Sequence, residues 1–101
     1  MPNDKRAEPI AEALRRFLAG SGLSKRLEQT SALEAWPGVV GPAVAAVTRP
    51  LSVASDGTLF VAVRSAPWMN ELTMMEADIV AALGRRNPSA PITRIRWQLA
   101  P

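Results

Sequence analysis

The stretch from Asp56 to Leu72, DGTLFVAVRSAPWMNEL, decides the fold of this chain. Its first two residues, Asp56-Gly57, are typical of a type I′ hairpin turn, in which both central residues have φ above zero. Inward and outward positions alternate after this turn. The inward set is Leu59, Val61 and Val63, and the outward set is Thr58, Phe60, Ala62 and Arg64. This period of two predicts a half-buried strand.

Helical spacing replaces the alternation after Ser65. Serine is a residue that caps helices, and Pro67 suits a first helical turn, where its missing N–H would have no partner. The apolar positions that follow share one helical face. They are Trp68, Leu72, Met75, Ile79 and Leu83. The stretch therefore predicts a strand, a sharp turn and a helix that returns across the same sheet, with Trp68 at the corner.

The N-terminal part of the chain predicts helices. Residues 1–8 are polar and charged, and we expect them to be frayed. A helix then begins near Pro9 and ends at residues 20–22, Gly-Ser-Gly. Its apolar stripe is Ile10, Leu14, Phe17 and Leu18. Ser24 is expected to cap a second helix, which directs Leu23 and Leu27 into the core.

A kinked or broken helix is predicted from Ser31 to Val47. Its first residues have the spacing of a capping box, which predicts a new helix start. Pro37 and Pro42 each remove a backbone donor, and Gly41 gives the chain room to break. Trp36 lies on the apolar stripe of this segment, and we interpret it as a core anchor.

The remaining segments complete a sheet. Thr48–Ala54 is the predicted first strand, with Leu51 and Val53 inward. The helix of the central stretch is expected to run until Gly84 stops it, and Thr93–Leu99 alternates again as a third strand. The order helix, helix, strand, strand, helix, strand predicts an α+β fold with a three-stranded sheet. We expect helices on one face of this sheet and a right-handed strand–helix–strand crossover.

Composition restricts the possible functions. The chain has 101 residues, enough for one domain, and a formal net charge of +3. It has no cysteine and no histidine, which excludes disulfides, the usual zinc sites and every catalytic scheme that needs either residue. No apolar run approaches the ~18 residues of a membrane span, and the N-terminus does not resemble a signal peptide. We therefore expect a cytoplasmic protein without a metal, a cofactor, a membrane contact or a small-molecule substrate.

No set of residues predicts catalysis. Glu71, Glu76 and Asp78 lie in one predicted helix without a partner nucleophile or metal ligand, and we interpret them as a solvated face. Residues 38–41, Gly-Val-Val-Gly, match the GxxG with which KH domains hold a nucleic-acid backbone. This match precedes every strand and has valines at its centre, so we interpret it as a chance match.

The outward side of the sheet carries the residues that predict binding. They are Ser52, Ala54, Phe60, Ala62, Arg64, Arg94 and Arg96. An aromatic ring among arginines on an exposed sheet is typical of proteins that bind single-stranded nucleic acid by stacking and charge. The alternative is that the N-terminal helix or a partner covers Phe60. Arg85 and Arg86 form a second basic site at the end of the central helix, where they also interact favourably with the helix dipole.

An ordered set of short motifs resembles the DciA family. The motifs are Trp36, Val39-Val40-Gly41, Thr48-Arg49-Pro50, Gly57-Thr58-Leu59-Phe60-Val61 and Ser65-Ala66-Pro67-Trp68-Met69-Asn70-Glu71-Leu72. No single motif is specific, but their order is, and the resemblance is closest from Leu33 to Leu72. It implies a KH-like fold, DNA binding and no catalytic activity. It also implies a role in bacterial replication, where this family assists the loading of the replicative helicase onto single-stranded DNA.

These observations and the resemblance together predict one KH-like domain over residues 1–101, with the replicative helicase and single- or double-stranded DNA as partners. The expected nucleic-acid contacts are Phe60, Arg64, Arg85, Arg86, Arg94 and Arg96. The expected structural positions are Trp36, Trp68, Gly41 and Gly57. Two alternatives remain open. One is a KH-like RNA-binding module without a helicase partner, and the other is a protein-interaction domain that uses an exposed apolar patch.

Overall fold

The computed structural model describes residues 4–88 and 91–101 of the chain. The elements in this part are α1 (Asp4–Ser21), α2 (Leu23–Val40), α3 (Pro42–Ala45), β1 (Thr48–Val53), β2 (Thr58–Val63), α4 (Ala66–Arg86) and β3 (Arg94–Leu99). The strands form one sheet in the order β1-β2-β3, in which β1 is antiparallel and β3 parallel to β2. The predicted α+β class and three-stranded sheet are therefore confirmed.

β2 is the central strand and the most buried part of the sheet. Leu59, Val61 and Val63 are fully buried, as their predicted inward positions require. α2 and α4 pack on this side of the sheet. The buried residues of these two helices are Gln29, Ala32, Trp36, Leu72, Ile79 and Leu83. The core therefore lies between α2, α4 and one face of the sheet.

Trp36 attaches α2 to the sheet. Its side chain is fully buried, and its Nε1 donates a hydrogen bond to Thr48 Oγ1 at 2.8 Å. Thr48 Oγ1 donates in turn to the Val44 carbonyl at 2.8 Å, so this chain of bonds links α2, β1 and α3. The Trp97 ring of β3 packs against Trp36 with a centroid distance of 6.0 Å and an interplanar angle of 59°. The buried indole N–H thus has the partner that its burial requires.

Glu76 binds β3 and is not part of a solvated face. Its Oε1 accepts a hydrogen bond from Trp97 Nε1 at 3.0 Å, and its Oε2 accepts one from the Ile95 N–H at 3.3 Å. β3 is an edge strand, whose free donors need such a partner. The predicted solvated face is therefore wrong for Glu76, whereas Glu71 and Asp78 are exposed.

β1 contains a bulge at Leu51. The register shifts between Pro50 and Ser52, so Leu51 is an extra residue without a partner in β2. The predicted inward position of Leu51 is wrong, because its side chain is exposed, whereas Val53 is buried as predicted. The bulge also changes the alternation along the strand. Simple alternation from Val53 would place Arg49 on the core side of the sheet. Because of the bulge, Arg49 lies on the other side, opposite Ala62.

The β1–β2 loop uses one positive φ angle where the sequence predicts two. Gly57 has a φ of 94°. Every residue with a positive φ in the described chain is a glycine, so Asp56 does not have one, and the type I′ prediction for Asp56-Gly57 is wrong. Two hydrogen bonds close the loop. The Ala54 N–H donates to the Thr58 carbonyl at 2.8 Å, and the Gly57 N–H donates to the Ala54 carbonyl at 3.0 Å. This is the pattern of a three-residue loop whose last residue is left-handed.

α2 is continuous over Leu23–Val40, so the predicted helix start at Ser31 is wrong. Ser31 Oγ donates to the Glu28 carbonyl at 2.6 Å, which is a bond of a helix interior rather than of a cap. The predicted break occurs at Gly41, whose φ of 85° and ψ of 167° suit only glycine. Pro42 then begins α3.

α4 continues beyond its predicted end. It passes through Gly84 and includes Arg85 and Arg86. A glycine inside a helix costs only about 1 kcal/mol, and two arginines in the last turn favour the helix dipole. The helix ends before Asn87, whose φ of −131° and ψ of 69° are not helical. The proline that follows, Pro88, disfavours a helical conformation at the residue before it.

α1 projects from the rest of the molecule. It begins at Asp4 rather than near Pro9, and residues 1–3 of the segment expected to be frayed lie outside the described residues. Gly22 takes the position before α2 that was expected for Ser24. Among the described elements, α1 contacts only α2. The molecule measures 60 × 26 × 25 Å, and its radius of gyration is 17.4 Å, against ~13 Å for a compact chain of this length.

The predicted burial of the N-terminal apolar residues is wrong. Their exposed fractions are 71% for Ile10, 56% for Leu14, 66% for Phe17, 45% for Leu23 and 59% for Leu27. We call these five residues the N-terminal stripe. The side chain of Leu18 lies outside the described residues. Helical spacing correctly groups apolar residues on one face, but it does not supply a partner that buries this face.

Candidate nucleic-acid interface

The side of the sheet away from α2 and α4 is called the open face. Its residues are Arg49, Ser52, Thr58, Phe60, Ala62, Arg64, Arg94, Arg96 and Gln98. No contact joins α1 to a strand in the described chain, so α1 does not cover Phe60. The alternative in which the N-terminal helix shields this ring is therefore wrong. Phe60 is half-buried, and part of its ring is accessible on the central strand.

Cross-strand pairing arranges the open face in rows. Phe60 lies between Ser52 of β1 and Arg96 of β3, and Ala62 lies beside Arg49 in the next row. Side chains in one row are close enough to touch the same ligand group. An aromatic ring and guanidinium groups are thus side by side, as the binding of a base and its neighbouring phosphates requires.

One end of the open face is partly neutralised. Arg94 Nη2 lies 3.3 Å from Asp56 Oδ2, and Arg94 Nε donates to Thr58 Oγ1 at 3.1 Å. Hydrogen bonds with Thr58 and, to a smaller extent, the charge of Arg94 hold the pKa of Asp56 below its usual 3.8. Both charged side chains are more than half exposed, so the ion pair adds little stability. It nevertheless occupies an arginine that a phosphate would otherwise contact.

The other end of the open face contains two arginines without a carboxylate. Arg49 and Arg64 border a cleft of about 270 Å³, and neither has an ion pair or a side-chain hydrogen bond within the described chain. Sequence reasoning missed Arg49, because alternation from Val53 directs it into the core. The one signal in the sequence is Pro50, since proline within a sheet is found at edges and bulges.

Arg85 and Arg86 do not belong to the open face. Both are exposed in the last turn of α4, which packs on the opposite side of the sheet. Arg86 Nη2 lies 3.3 Å from the position that a β-carbon on Gly38 would take, so this guanidinium lies against α2. The structure places the other four predicted contacts along the open face, with Arg64 and Arg94 at opposite ends. These are Phe60, Arg64, Arg94 and Arg96.

The residues predicted to be structural lie at junctions between elements. Trp36 is buried between α2 and the sheet, and Trp68 is half-buried at the start of α4, where it packs against the core. Ser65 takes the N-cap position before α4 without a side-chain hydrogen bond. Gly41 and Gly57 both have positive φ angles, at the α2–α3 junction and in the β1–β2 loop.

Three findings concern metal ligands, buried polar atoms and membrane spans among the described residues. These residues include no group of three or more His, Cys, Asp or Glu side chains that could hold a metal ion. Every buried side-chain nitrogen and oxygen among them has a hydrogen-bond partner. None of the described helices combines the length and the hydropathy that crossing a membrane demands.

A protein-family model matches most of the chain. The family described as "Dna[CI] antecedent, DciA" matches residues 9–97. This chain belongs to the DciA family. The resemblance that the sequence motifs indicate is thereby confirmed. The matched range of the DciA model includes β1, β2, the first four residues of β3 and every residue of the open face except Gln98.

Curated relatives match this DciA-family chain over part of their own length. A UPF0232 protein of Mycobacterium tuberculosis (strain ATCC 25618 / H37Rv) is 30% identical over 82 residues, which are 81% of this chain and 43% of that protein. A UPF0232 protein of Rhodococcus jostii (strain RHA1) is 29% identical with the same coverage, 81% and 43%. One of Mycolicibacterium paratuberculosis (strain ATCC BAA-968 / K-10) is 25% identical over 95 residues, 94% of this chain and 52% of that protein. The chain thus spans about half the length of these relatives.

Proposed function

We propose that this protein is a non-enzymatic accessory protein of bacterial DNA replication. It binds DNA through the open face and assists the loading of the replicative helicase. The observation that carries the proposal is the open face itself, where Phe60 lies among four arginines. Membership of the DciA family supports the helicase part. The proposed location is the cytoplasm, without a membrane or small-molecule partner, and residues 1–101 are proposed to form one KH-like domain.

Charge and stacking provide the affinity in this proposal. Guanidinium groups bind phosphate oxygens through paired N–H donors. Each phosphate that they neutralise releases counterions, so binding weakens as the salt concentration rises. The accessible part of the Phe60 ring offers a base a stacking surface, which is worth about 1–3 kcal/mol in single-strand binders. None of these contacts reads a base edge, so we expect little sequence preference.

The proposed contact surface is the sheet and not the Gly38–Gly41 segment. A KH domain holds the nucleic-acid backbone in a GxxG loop. Here residues 38–40 belong to α2, and Val39 and Val40 pack against the core. Backbone N–H groups within a helix already donate to helix carbonyls, so they are not available to a phosphate. The proposed likeness to KH domains therefore concerns the arrangement of helices and strands only.

Charge reversal on the open face tests the DNA contact. We expect Arg94→Glu/Arg96→Glu to keep its fold, because both side chains are exposed, and to lose most of its affinity for single-stranded DNA. Its Tm should fall slightly, because the change at Arg94 replaces an ion pair with Asp56 by a repulsion between carboxylates. The matched control is Arg15→Glu/Arg16→Glu, which reverses two charges on α1 and should lose less. Fluorescence anisotropy over a salt series measures the affinity and its salt dependence, and thermal melting checks the fold.

Three outcomes of this experiment are decisive. Equal losses in the two variants would indicate only a diffuse positive field and contradict the proposed face. A salt-independent affinity of the unmodified protein would contradict nucleic-acid binding as such, because displaced counterions must produce a slope. Competition between the DNA and an RNA of the same sequence tests the RNA-binding alternative. A higher affinity for the RNA would favour that alternative.

A protein-interaction function is the second candidate, and the N-terminal stripe favours it. The stripe exposes five large apolar side chains on α1 and the first turns of α2. Contiguous apolar surface beyond a few hundred Å² is rare on monomers and marks interaction sites. Full burial of one such side chain contributes about 1.5–3 kcal/mol. In this second candidate function the stripe binds a protein and the chain contacts no nucleic acid. In the first proposal the stripe contacts the replicative helicase, while the open face contacts DNA.

A further inference from the structure

The cleft at the Arg49/Arg64 end of the open face consists of short side chains between two long ones. Arg49 pairs with Ala62 in the β1–β2 ladder. Arg64 directly follows the last residue of β2 and lines the same cleft as Arg49 and Ala62. Diagonal neighbours in a sheet lie about 7–8 Å apart, and long side chains at such positions can reach one ligand. Ala46 and Ala100 also line the cleft, whose volume is about 270 Å³.

The side-chain charge in this cleft is not balanced, and Pro101, which also lines the cleft, contributes no side-chain charge. Among the described residues, no acidic side chain lines it, and neither Arg49 nor Arg64 has an ion pair. Arg94 at the opposite end differs, because Asp56 holds it at 3.3 Å. Two neighbouring positive charges repel each other, and an anion between them would relieve this repulsion. The two ends of the open face therefore differ. The arginine at one end is paired with a carboxylate, and the two arginines at the other end are not.

We propose that the cleft between Arg49 and Arg64 is a phosphate-binding site, whose phosphate belongs to a nucleic-acid strand that crosses the open face. The proposal rests on the proposed DNA binding and adds to it, because this end becomes the principal anchor of the strand. Both guanidinium groups can donate paired N–H bonds to phosphate oxygens. The short side chain of Ala62 between them leaves the space that the phosphate needs.

Phe60 gives the anchored strand its next contact. It precedes Ala62 by two residues of β2, a distance of about 6.8 Å along a strand. A phosphate in the cleft therefore brings the adjacent base close to the Phe60 ring, and the chain then continues towards Arg96, which lies beside Phe60. The Arg94 end, which Asp56 neutralises in part, contacts the strand more weakly.

Titration with inorganic phosphate tests the cleft without DNA. We would follow ¹H–¹⁵N NMR spectra at constant ionic strength, with a Gly-Ser extension after Pro101 that keeps the terminal carboxylate of the sample out of the cleft. Saturable shifts are expected for the amide signals of Arg49, Arg64 and Ala100 and for the Nε–H signals of the two arginines. The corresponding signals of Arg85 should move little.

Three variants make this titration specific. Arg49→Gln/Arg64→Gln is expected to abolish the shifts at Ala100. Arg85→Gln/Arg86→Gln removes the same number of charges from α4 and should leave them unchanged. Ala100→Phe fills the cleft from an exposed position without changing any charge, and it should also abolish the phosphate shifts.

The affinity for single-stranded DNA then identifies the source of the phosphate. Arg49→Gln/Arg64→Gln should lose about tenfold or more, since hydrogen bonds to charged groups are the strong ones. This loss should be at least as large as that of Arg94→Gln/Arg96→Gln. The slope of log K against log[salt] should also decrease by roughly one. A loss in Ala100→Phe as well would assign the effect to the cleft rather than to net charge.

The possible failures are distinguishable. Phosphate shifts that are absent from the cleft, or equal at all arginines, overturn the phosphate site and leave the DNA-binding proposal to the Arg94/Arg96 comparison. Shifts in the cleft together with an unchanged DNA affinity of Arg49→Gln/Arg64→Gln overturn the nucleic-acid source of the phosphate. If the unmodified protein binds no DNA, the proposed function fails, and this source fails with it.

Discussion

At the scale of single residues, Gly57 determines how the sheet is joined. A β-carbon on Gly57 would lie 2.8 Å from the Pro91 carbonyl oxygen, and the Gly57 carbonyl accepts the Thr93 N–H at 2.9 Å. The loop therefore holds the segment that leads into β3 and also connects β1 with β2. Both the positive φ and the close contact exclude a side chain here.

We expect Gly57→Ala to lower the free energy of unfolding by about 2 kcal/mol or more. A residue with a side chain in this backbone region costs roughly 1–3 kcal/mol, and the contact with Pro91 adds to it. Gly20→Ala is the control, because no atom lies within 4 Å of the added β-carbon and α1 is helical there. Urea unfolding measures both. If Gly57→Ala were as stable as the control, the loop would not constrain β3.

Asp56 connects the open face to pH. Its pKa is lowered in the folded protein, chiefly by hydrogen bonds with Thr58 and then by Arg94. The folded state therefore favours the ionised carboxylate of Asp56. Its contribution to the stability of the fold is fully present above the pKa of the unfolded chain, about 3.9. It is lost as the pH falls through the lower folded pKa. We expect Asp56→Asn to lower Tm near neutral pH, and the difference from the unmodified protein to vanish well below about pH 4.

The same variant changes the charge of the open face. Asparagine suits the turn and can still accept the bond from the Thr58 N–H, but it no longer holds Arg94. Asp56→Asn should therefore bind single-stranded DNA more tightly at neutral pH. Melting curves from pH 7 to about pH 2 and anisotropy titrations measure the two effects. A Tm difference that is independent of pH would assign the change to the turn instead of to the charge.

At the scale of elements, α1 is an amphipathic helix without a cover. It has 18 residues, more than the roughly 12–15 below which isolated helices are marginal. We expect Leu14→Glu/Phe17→Glu to abolish co-elution with the replicative helicase. Stability and DNA affinity should change by no more than about 0.5 kcal/mol, because both side chains are exposed and far from the open face.

The control for this prediction is Met74→Glu on α4, which places one charge at another exposed apolar residue. It should leave helicase binding intact. A marked loss of stability in Leu14→Glu/Phe17→Glu would contradict the projecting helix, since it would mean that the N-terminal stripe packs against the rest of the protein in solution.

At the scale of the whole molecule, the two candidate surfaces are separate. The N-terminal stripe lies on α1 and the start of α2, and no contact joins α1 to a strand in the described chain. The open face lies on the sheet, whose other side is covered by α2 and α4. With a length of 60 Å, the molecule has room for a protein partner and a nucleic acid at the same time. This separation would let the proposed helicase and DNA contacts form on the same molecule.

The sequence by itself determined the local features of this protein. The period of two in β2, the helical period from Trp68 to Leu83 and the break at Gly41 depend on residues that are neighbours along the chain. The ordered motifs also sufficed to identify the DciA family. The absence of cysteine and histidine excluded whole classes of chemistry without any structure.

Only the tertiary structure decided which of these features are covered and which face each other. Helical spacing places the residues of the N-terminal stripe on one face. Only the structure shows that these residues are exposed in the described chain. The bulge at Leu51 follows from pairing with β2, and it moves Arg49 to the open face. Glu76 meets Ile95, 19 residues away along the chain. Burial and register depend on segments that are distant in sequence, and only their packing brings them together.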